Sequence, residues 1–361
     1  MILIRLWQKY LLKEFFSVFF LFLVCFYSLY VIIDYTNHSA SFHHLQSRFP
    51  LLELGVYYAC EFIKRSELLI PIAMVIALVR TLTKLNQQFE LIALRAAGIP
   101  LMTLMRPFVL VGLAMTLLMY ANEEWVMPAA MKKIKHIEDS RSQAKRQHLQ
   151  AMAAQHVALE DNSTLIFQKY DSSRNHFFDV YWIQSPDVVF RMKSLEPYVD
   201  VPIGHFVDRL ERSKEGALIP NASYDTLQFP GIKFNRESLL ETLTPTDDLS
   251  ISKLWVKIPP DGVIQSDKDA QAMGTLYRKI IMPWLCLFAI IGPAPFCIRF
   301  SRHMPVFMIF AMSVFGILSL YLIFDASHLL AKRQVLDPTT AILTPFVLFF
   351  ILLGWRFAKM K

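Results

Sequence analysis

Several basic residues lie beside long apolar runs, where a charge is costly. Ionisable side chains at membrane depth are rare and are functional candidates by default. The candidates in this chain are Lys64, Arg65, Arg278, Lys279 and Arg48. For the first two an ordinary alternative stays open, because Glu61 and Glu67 lie within one helical turn of them and could neutralise them.

Motifs for enzymatic chemistry are missing from the sequence. None of the 11 glycines begins a G-x-x-x-x-G-K-[ST] phosphate loop, so the chain is not expected to hydrolyse a nucleotide. There is no G-x-S-x-G and no H-E-x-x-H motif. The 4 cysteines form no C-x-x-C, and no carboxylate or cysteine stands among His38, His43 and His44 to complete a metal site. We therefore expect no catalytic residue, no metal site and no cofactor bound by this chain.

Six apolar stretches predict the elements that position the basic residues. About 20 apolar residues cross a hydrocarbon core of roughly 30 Å. The clearest stretches are residues 15–33, 280–298, 306–324 and 339–355. Residues 68–79 and 107–122 are shorter and begin next to charges, which long side chains tolerate by reaching the membrane surface. The composition agrees, since 54% of the residues are hydrophobic, more than the roughly 45–50% of soluble domains.

The distribution of Lys and Arg predicts the orientation of these spans. Basic residues concentrate in the loops that stay in the cytoplasm, and here twelve fall on one side of a six-span arrangement and seven on the other. The twelve are Arg5, Lys9, Lys13, Arg80, Lys84, Arg95, Arg106, Arg299, Arg302, Arg356, Lys359 and Lys361. We therefore expect both termini in the cytoplasm and residues 123 to about 270 outside. The net charge of +7 then reflects orientation, and no nucleic acid partner is expected.

The middle of the chain has a different texture. Residues 131–154 are rich in Lys, Arg, Gln and Ala and indicate a helix that continues out of the third span. Short runs of β-branched and aromatic residues follow at 164–167, 177–183 and 188–192, separated by turn signals. Such runs predict an all-β sandwich or barrel. Their alternation is imperfect, which indicates either a sheet buried on both faces or an apolar groove in its interior.

Local motifs give these elements a family resemblance. Residues 90–98 (ELIALRAAG), 123–128 (EEWVMP) and 279–283 (KIIMP) stand next to spans, and Lys64 lies seven residues before Pro71. In this order, with three spans before a β domain and three after it, they resemble the lipopolysaccharide-export permease family. Its members are the paired membrane subunits LptF and LptG of an ABC transporter, and Asp34 just beyond span one favours the LptG-like partner.

The resemblance implies a fold and a set of partners. The fold is a polytopic α-helical membrane protein with six transmembrane helices and an inserted all-β, jellyroll-like periplasmic domain between helices 3 and 4. We expect domains at 1–122, 123–270 and 271–361, in the bacterial inner membrane. The implied partners are a second permease of the same family, an LptB-like cytoplasmic ATPase dimer that uses the ATP, an LptC- or LptA-like periplasmic jellyroll protein, and lipopolysaccharide itself.

The resemblance also assigns a role to the segment between spans two and three. A helix at about 84–98 is expected to dock into the ATPase dimer, with Leu85, Phe89, Ile92 and Ala96 on one face. Gly98 and Pro100 would end it. The expected coupling residues are Glu90, Leu91, Leu94, Arg95, Ala96, Ala97 and Gly98.

The lipid of this family has phosphorylated sugars, so the five outer cations, Lys64 first among them, are expected to hold its head group as positive charges. Aromatic residues of the β domain could line a trough for acyl chains, but a plain core is the better interpretation for each of them. These are Phe177, Phe178, Tyr181, Trp182 and Phe190.

Two other functions remain open at this stage. One is a mechanotransmitting ABC subunit, which usually has four spans. The other is a membrane receptor or scaffold whose outer domain binds a partner protein and needs no ATPase. A secondary transporter fits less well, because repeated or broken helices with midplane charges would be expected.

Overall fold

The computed structural model describes residues 6–43, 51–145, 155–159, 163–171, 176–197, 201–212, 218–230, 246–258, 267–298 and 306–359. The chain divides into a helical unit, residues 1–143 and 246–361, and a sheet unit, residues 144–245. The predicted domain of 123–270 includes, besides the sheet unit, residues 123–143 and 246–270 of the helical unit. Residues 123–143 continue the third span as one long helical rod, and Ala130 and Ile134 of that rod pack on Tyr57 and Cys60.

Six helices of the described residues are long and apolar enough to cross a membrane, which confirms the predicted span count. They cover Leu6–Asn37, Glu53–Gln87, Leu101–Lys135, Asp269–Cys297, Val306–Lys332 and Pro338–Ala358. Each is longer than the uncharged stretch that predicted it, because polar residues continue the helix beyond the hydrocarbon layer.

The helical unit contains eleven described α-helices, numbered here in chain order. The first four helices are α1 (Leu6–His43), α2 (Leu51–Gln87), α3 (Glu90–Ala96) and α4 (Leu101–Ala121). A π-helical segment, Asn122–Val126, joins α4 to α5 (Met127–Lys145). After the sheet unit come α6 (Ile251–Lys257), α7 (Asp267–Ile281), α8 (Leu285–Ile291), α9 (Ala294–Cys297), α10 (Val306–Lys332) and α11 (Pro338–Ala358).

Prolines interrupt the fourth span twice. A 3-10 turn at Met282–Trp284 separates α7 from α8, and Gly292–Pro293 separates α8 from α9. Proline lacks the backbone donor and its ring collides with the preceding turn, so a helix bends where it occurs. Pro283 and Pro293 therefore explain why this span consists of three short helices.

The core of the helical unit is built mainly around α2 and the fourth span. In the most apolar stretch of α2, 72% of the residues are buried, against 6% in α1 and 6% in α11. Phe15, Met74, Leu78 and Phe108 are fully enclosed. The outward faces of α1, α10 and α11 remain apolar and exposed, as expected for helices that meet lipid.

Contacts between the helices define two ends of the helical unit. At the α3 end, Tyr10 of α1 meets Glu90 and Arg356 of α11 stacks on Phe296 of α9. At the ion-pair end, Arg278 of α7 meets Glu67 of α2 and Asp325 of α10. The start of α1 and the end of α11 therefore lie at the α3 end, whereas the end of α4 lies at the ion-pair end.

The sheet unit contains one six-stranded antiparallel sheet with order β1-β2-β3-β4-β5-β6. The strands are β1 (Gln155–Ala158), β2 (Thr164–Asp171), β3 (His176–Ser185), β4 (Val188–Glu196), β5 (Ile203–Arg212) and β6 (Leu218–Gln228). The predicted all-β insertion between helices 3 and 4 is confirmed, and the connectivity of the described strands is a meander. Pro220 lies in β6, an edge strand of the sheet, where the missing donor is tolerated.

One face of the sheet holds the core of this unit. Phe177, Trp182 and Phe190 are buried there, Phe178 is half-buried, and Tyr181 is exposed. Phe229 comes directly after β6 in the chain. Its ring contacts the rings of Trp182 and Phe190, and each pair of ring centroids is 5.4 Å apart. Its ring lies over Gly204, where an added Cβ would come within 2.7 Å of it. The sheet therefore curls over its own aromatic core.

The imperfect alternation seen in the sequence has a local cause. Asp179 of β3 and Phe206 of β5 have φ values of 48° and 52°. This left-handed conformation switches which side chains face inward, so that Phe177 and Val180 are both buried although they stand three residues apart. Phe206 is left exposed, with the Lys193 ammonium 5.4 Å from its ring centroid. The imperfect alternation therefore requires neither a sheet that is buried on both faces nor an apolar groove.

Candidate functional site

The short helix α3 is held at one face and exposed at the other. Leu91 is buried against the helical core and Leu94 packs beside it. Phe89 and Ile92 are 61% and 40% exposed, and the chain from Arg95 to Gly98 is exposed as well. Glu90 accepts a long hydrogen bond of 3.4 Å from the Tyr10 hydroxyl. An apolar patch with one carboxylate and one guanidinium is thus presented outward at the α3 end.

The structure corrects the predicted helix at 84–98. The long helix α2 ends at Gln87, and Phe89 has a φ of 60° before α3 begins at Glu90. Because of this break, Leu85 is buried within α2 while Phe89, Ile92 and Ala96 are exposed, so the four do not share a face. The predicted stop is confirmed. Gly98 has a φ of 78°, and the bonds from its N–H to the Arg95 carbonyl and from Ile99 to Leu94 form a Schellman ending.

Two polar contacts fix the end of α2 that carries α3. The Lys84 ammonium lies 2.7 Å from Glu14 of α1. The Asn86 side chain donates a buried hydrogen bond of 3.1 Å to the carbonyl of Cys297 in α9. The base of α3 is therefore tied to the first and fourth spans, whereas its outer face is free of the core.

At the ion-pair end, Arg278 and Lys279 both have carboxylate partners inside the helical unit. Lys279 lies 2.7 Å from Glu123, and both side chains are more than nine-tenths buried. Arg278 is 3.0 Å from Glu67 and 3.5 Å from Asp325. These pairs connect α7 to α2, to α10 and to the π-helical segment, which indicates a structural role for the two cations.

The side chains of Lys64 and Arg65 are paired with a carboxylate but remain partly exposed. Both are paired with the buried carboxylate of Glu61, at 3.7 Å and 3.5 Å, but their side chains are 38% and 51% exposed. The Arg65 guanidinium also lies 4.7 Å from the centre of the Tyr30 ring. The neutralisation by Glu61 is confirmed, whereas Glu67 pairs with Arg278 instead. Arg48 lies outside the described residues.

Two neighbouring glutamates of the π-helical segment contact different partners. Glu123 points inward to Lys279, and Glu124 accepts hydrogen bonds from the backbone N–H of Ser252, at 3.1 Å, and from its hydroxyl. The wider turn of a π-helix often occurs at functional positions. Sequence reasoning singled out both motifs that carry this pair, but it did not join Glu123 to Lys279. Opposite charges at the ends of spans three and four were the available signal.

A smaller polar cluster surrounds Asp247 at the same end. Its carboxylate accepts hydrogen bonds from Lys332, at 3.1 Å, and from Thr275, at 3.2 Å. Partial burial of the carboxylate opposes its ionisation, but the bond and charge of Lys332 and the nearby His328 outweigh it and hold the pKa of Asp247 below its ordinary value. This cluster joins the chain that returns from the sheet unit to α7 and α10.

Metal binding has no support among the described side chains, which include no group of three His, Cys, Asp or Glu arranged to hold an ion. The side chains of His38, His43 and His44 lie outside the part of the chain that is described.

Comparison with known proteins agrees with the six spans and the inserted sheet. The family described as "Lipopolysaccharide export system permease LptF/LptG" matches residues 9–359, nearly the whole chain. Among curated protein sequences no match was found. A match of this extent covers both halves of the helical unit and the sheet unit between them. The chain belongs to the lipopolysaccharide export system permease LptF/LptG family and is a multi-pass membrane protein of the transport type.

Proposed function

We propose that this permease extracts lipopolysaccharide from the bacterial inner membrane and passes it through its sheet unit to a periplasmic protein bridge. It would work as a pair with a second permease of the family. Work would come from a separate ATPase dimer, since the sequence has no phosphate loop of its own. The family match over residues 9–359 supports the transport role.

The proposal places the α3 end in the cytoplasm. The bias of Lys and Arg supports this orientation, and the start of α1 and the end of α11 lie at the same end as α3. The exposed face of α3, with Glu90, Ile92 and Arg95, is then available to a cytoplasmic ATPase. Its neighbours Leu91, which is buried, and Leu94, which is partly buried, would transmit a push on this face into the core of the helical unit. The exposure of this face is the observation that carries the coupling role.

The lipid head group is proposed to meet Lys64 and Arg65 at the other end. Both are partly exposed cations beside the first span, and a phosphate would add a second anion to the one that Glu61 provides. Arg278 and Lys279 are already enclosed with carboxylates. We therefore assign them to holding the helices together and no longer to binding lipid.

Reversing the charge at Glu90 tests the coupling role. In proteoliposomes that contain the whole transporter, Glu90→Lys is expected to reduce lipopolysaccharide release by about tenfold, because a charge-assisted contact is worth roughly 1.5–3 kcal/mol. Tyr10→Phe is the matched control, since it removes the contact of Glu90 inside the chain but leaves the carboxylate. Normal release by Glu90→Lys, or an equal loss in the control, would contradict docking through Glu90.

The alternative functions make different predictions. A mechanotransmitting subunit usually has four spans, and the described residues of this chain include six. A receptor or scaffold would need no ATPase. Purification in mild detergent should recover an ATPase subunit and a second permease of similar size with this chain, and their absence would favour a scaffold.

A further inference from the structure

An apolar cavity of about 450 Å³ lies between α10, α11 and the broken fourth span. Its wall includes Gly292 and Pro293 at the helix break, Phe296 of α9, and Leu352 of α11. Ser313 is the sole polar side chain in the part of the wall that the structure describes. Water gains few hydrogen bonds in such a space. Since the cavity lies between membrane-spanning helices, hydrocarbon is the filling that suits it.

The dimensions of the cavity match one acyl chain. Its wall on α10 runs from Met308 to Leu320, which is about 18 Å at 1.5 Å per residue. One leaflet of a bilayer contributes roughly 15 Å of hydrocarbon.

A cation stands at one mouth of this cavity. The guanidinium of Arg356 lies 4.2 Å from the centre of the Phe296 ring, which forms part of the wall. Arg356 is one helical turn beyond Leu352 and is exposed. Among the described residues, no carboxylate forms an ion pair with it. A guanidinium in this state binds a phosphate through paired hydrogen bonds.

We infer that this cavity binds a glycerophospholipid, with one acyl chain between α10 and α11 and the phosphate on Arg356. The lipid belongs to the leaflet at the α3 end, because the cation stands at that mouth. This site is separate from the head-group contacts proposed at Lys64 and Arg65, and it does not depend on lipopolysaccharide being the substrate. The phospholipid fills the space that the break at Gly292–Pro293 leaves beside α10.

Two variants test the two halves of the site. Gly316→Leu fills the cavity, because Gly316 lies in the wall and an added Cβ meets nothing within 4 Å. Gly354→Leu adds the same side chain in open space outside the wall and is its matched control. Arg356→Gln removes the phosphate contact. Lys359→Gln is its control, since Lys359 is an exposed cation that lies over Trp355 instead.

The measurement is native mass spectrometry of the whole transporter after equilibration in bilayer discs of phosphatidylethanolamine and phosphatidylglycerol. The wild type is expected to retain one phospholipid at this site. Gly316→Leu should lower its occupancy by about tenfold or more, because the leucine side chain takes the space of the acyl chain. Arg356→Gln should weaken retention by about tenfold. Both controls should resemble the wild type.

Other outcomes would overturn the inference. These are a retained lipopolysaccharide in place of phospholipid, phospholipid retention that Gly316→Leu leaves unchanged, and no retained phospholipid. A photo-crosslinker at Met312 that captures a protein segment would have the same meaning. Because Arg356 and Lys359 are exposed, their variants should fold, and equal retention in both would exclude a phosphate contact even if Gly316→Leu failed to fold.

Discussion

The two ends of the helical unit treat charge in opposite ways. At the ion-pair end, Lys279 and Glu123 are enclosed together, and Arg278 lies between Glu67 and Asp325. At the α3 end, Arg95, Arg356 and Lys359 are exposed, and Phe89 and Ile92 are exposed beside them. These charges at the ion-pair end join helices, whereas Arg95, Arg356 and Lys359 at the α3 end face outward, although Lys84 there pairs with Glu14.

This difference separates residues that hold the fold from residues that are available to partners. A buried pair depends on both members, since removing one leaves an uncompensated charge. An exposed charge is screened and contributes little to stability. The same residue types, Lys and Arg beside apolar runs, therefore have different roles at the two ends. Substitutions at the two ends should therefore differ in their effect on the free energy of unfolding.

The largest loss is expected at the ion-pair end. Lys279→Met leaves Glu123 buried without its partner and should cost about 3–5 kcal/mol. Unfolding of the purified transporter with increasing denaturant would measure it. The double variant Lys279→Met with Glu123→Leu is expected to recover most of the loss. If Lys279→Met lowers the free energy of unfolding by no more than the double variant does, the pair of Lys279 and Glu123 is not enclosed.

An intermediate loss is expected where α2 carries α3. Asn86→Ala removes the buried hydrogen bond to the Cys297 carbonyl and should cost about 1–2 kcal/mol. Gln87→Ala, at an exposed neighbouring position, is the control for helix propensity. Equal effects of the two in the same unfolding assay would mean that Asn86 does not tie α2 to α9.

A smaller loss is expected at Glu61. Glu61→Gln keeps the shape of the side chain and should cost less than about 1 kcal/mol, because Lys64 and Arg65 are partly exposed. The loss should shrink further in high salt. Glu67→Gln is the comparison, since its partner Arg278 is more enclosed and the cost should be greater. A larger loss of stability in Glu61→Gln than in Glu67→Gln would mean that the pairs of Glu61 are the more enclosed ones.

The smallest change in stability is expected on the outer face of α3. Ile92→Asp should alter the free energy of unfolding by no more than about 0.5 kcal/mol, yet it should reduce co-purification of the ATPase. Leu91→Asp places a charge in the core and should destabilise the protein strongly. If Ile92→Asp destabilises as much as Leu91→Asp, the face of α3 is not free for a partner.

Much of this architecture was predictable because it follows from local composition. The six spans, the helix end at Gly98 and the strands around Phe167, Trp182 and Phe190 each have their signal within a few residues. The start of α3 was not predictable, since Phe89 adopts a left-handed conformation that bulky residues rarely take. β5 was not predicted from the sequence, because Asp208, Arg209 and Glu211 interrupt its apolar pattern.

The sequence by itself determined that this chain crosses a membrane, how often it does so, and to which family it belongs, because hydrophobic length and short motifs are properties of neighbouring residues. The tertiary structure alone decided which cations are enclosed. Lys279 and Glu123 are 156 positions apart, and only the packing of α7 against the π-helical segment brings them together. The cavity beside α10 has the same origin, since its walls come from several helices and its shape depends on how a broken span packs.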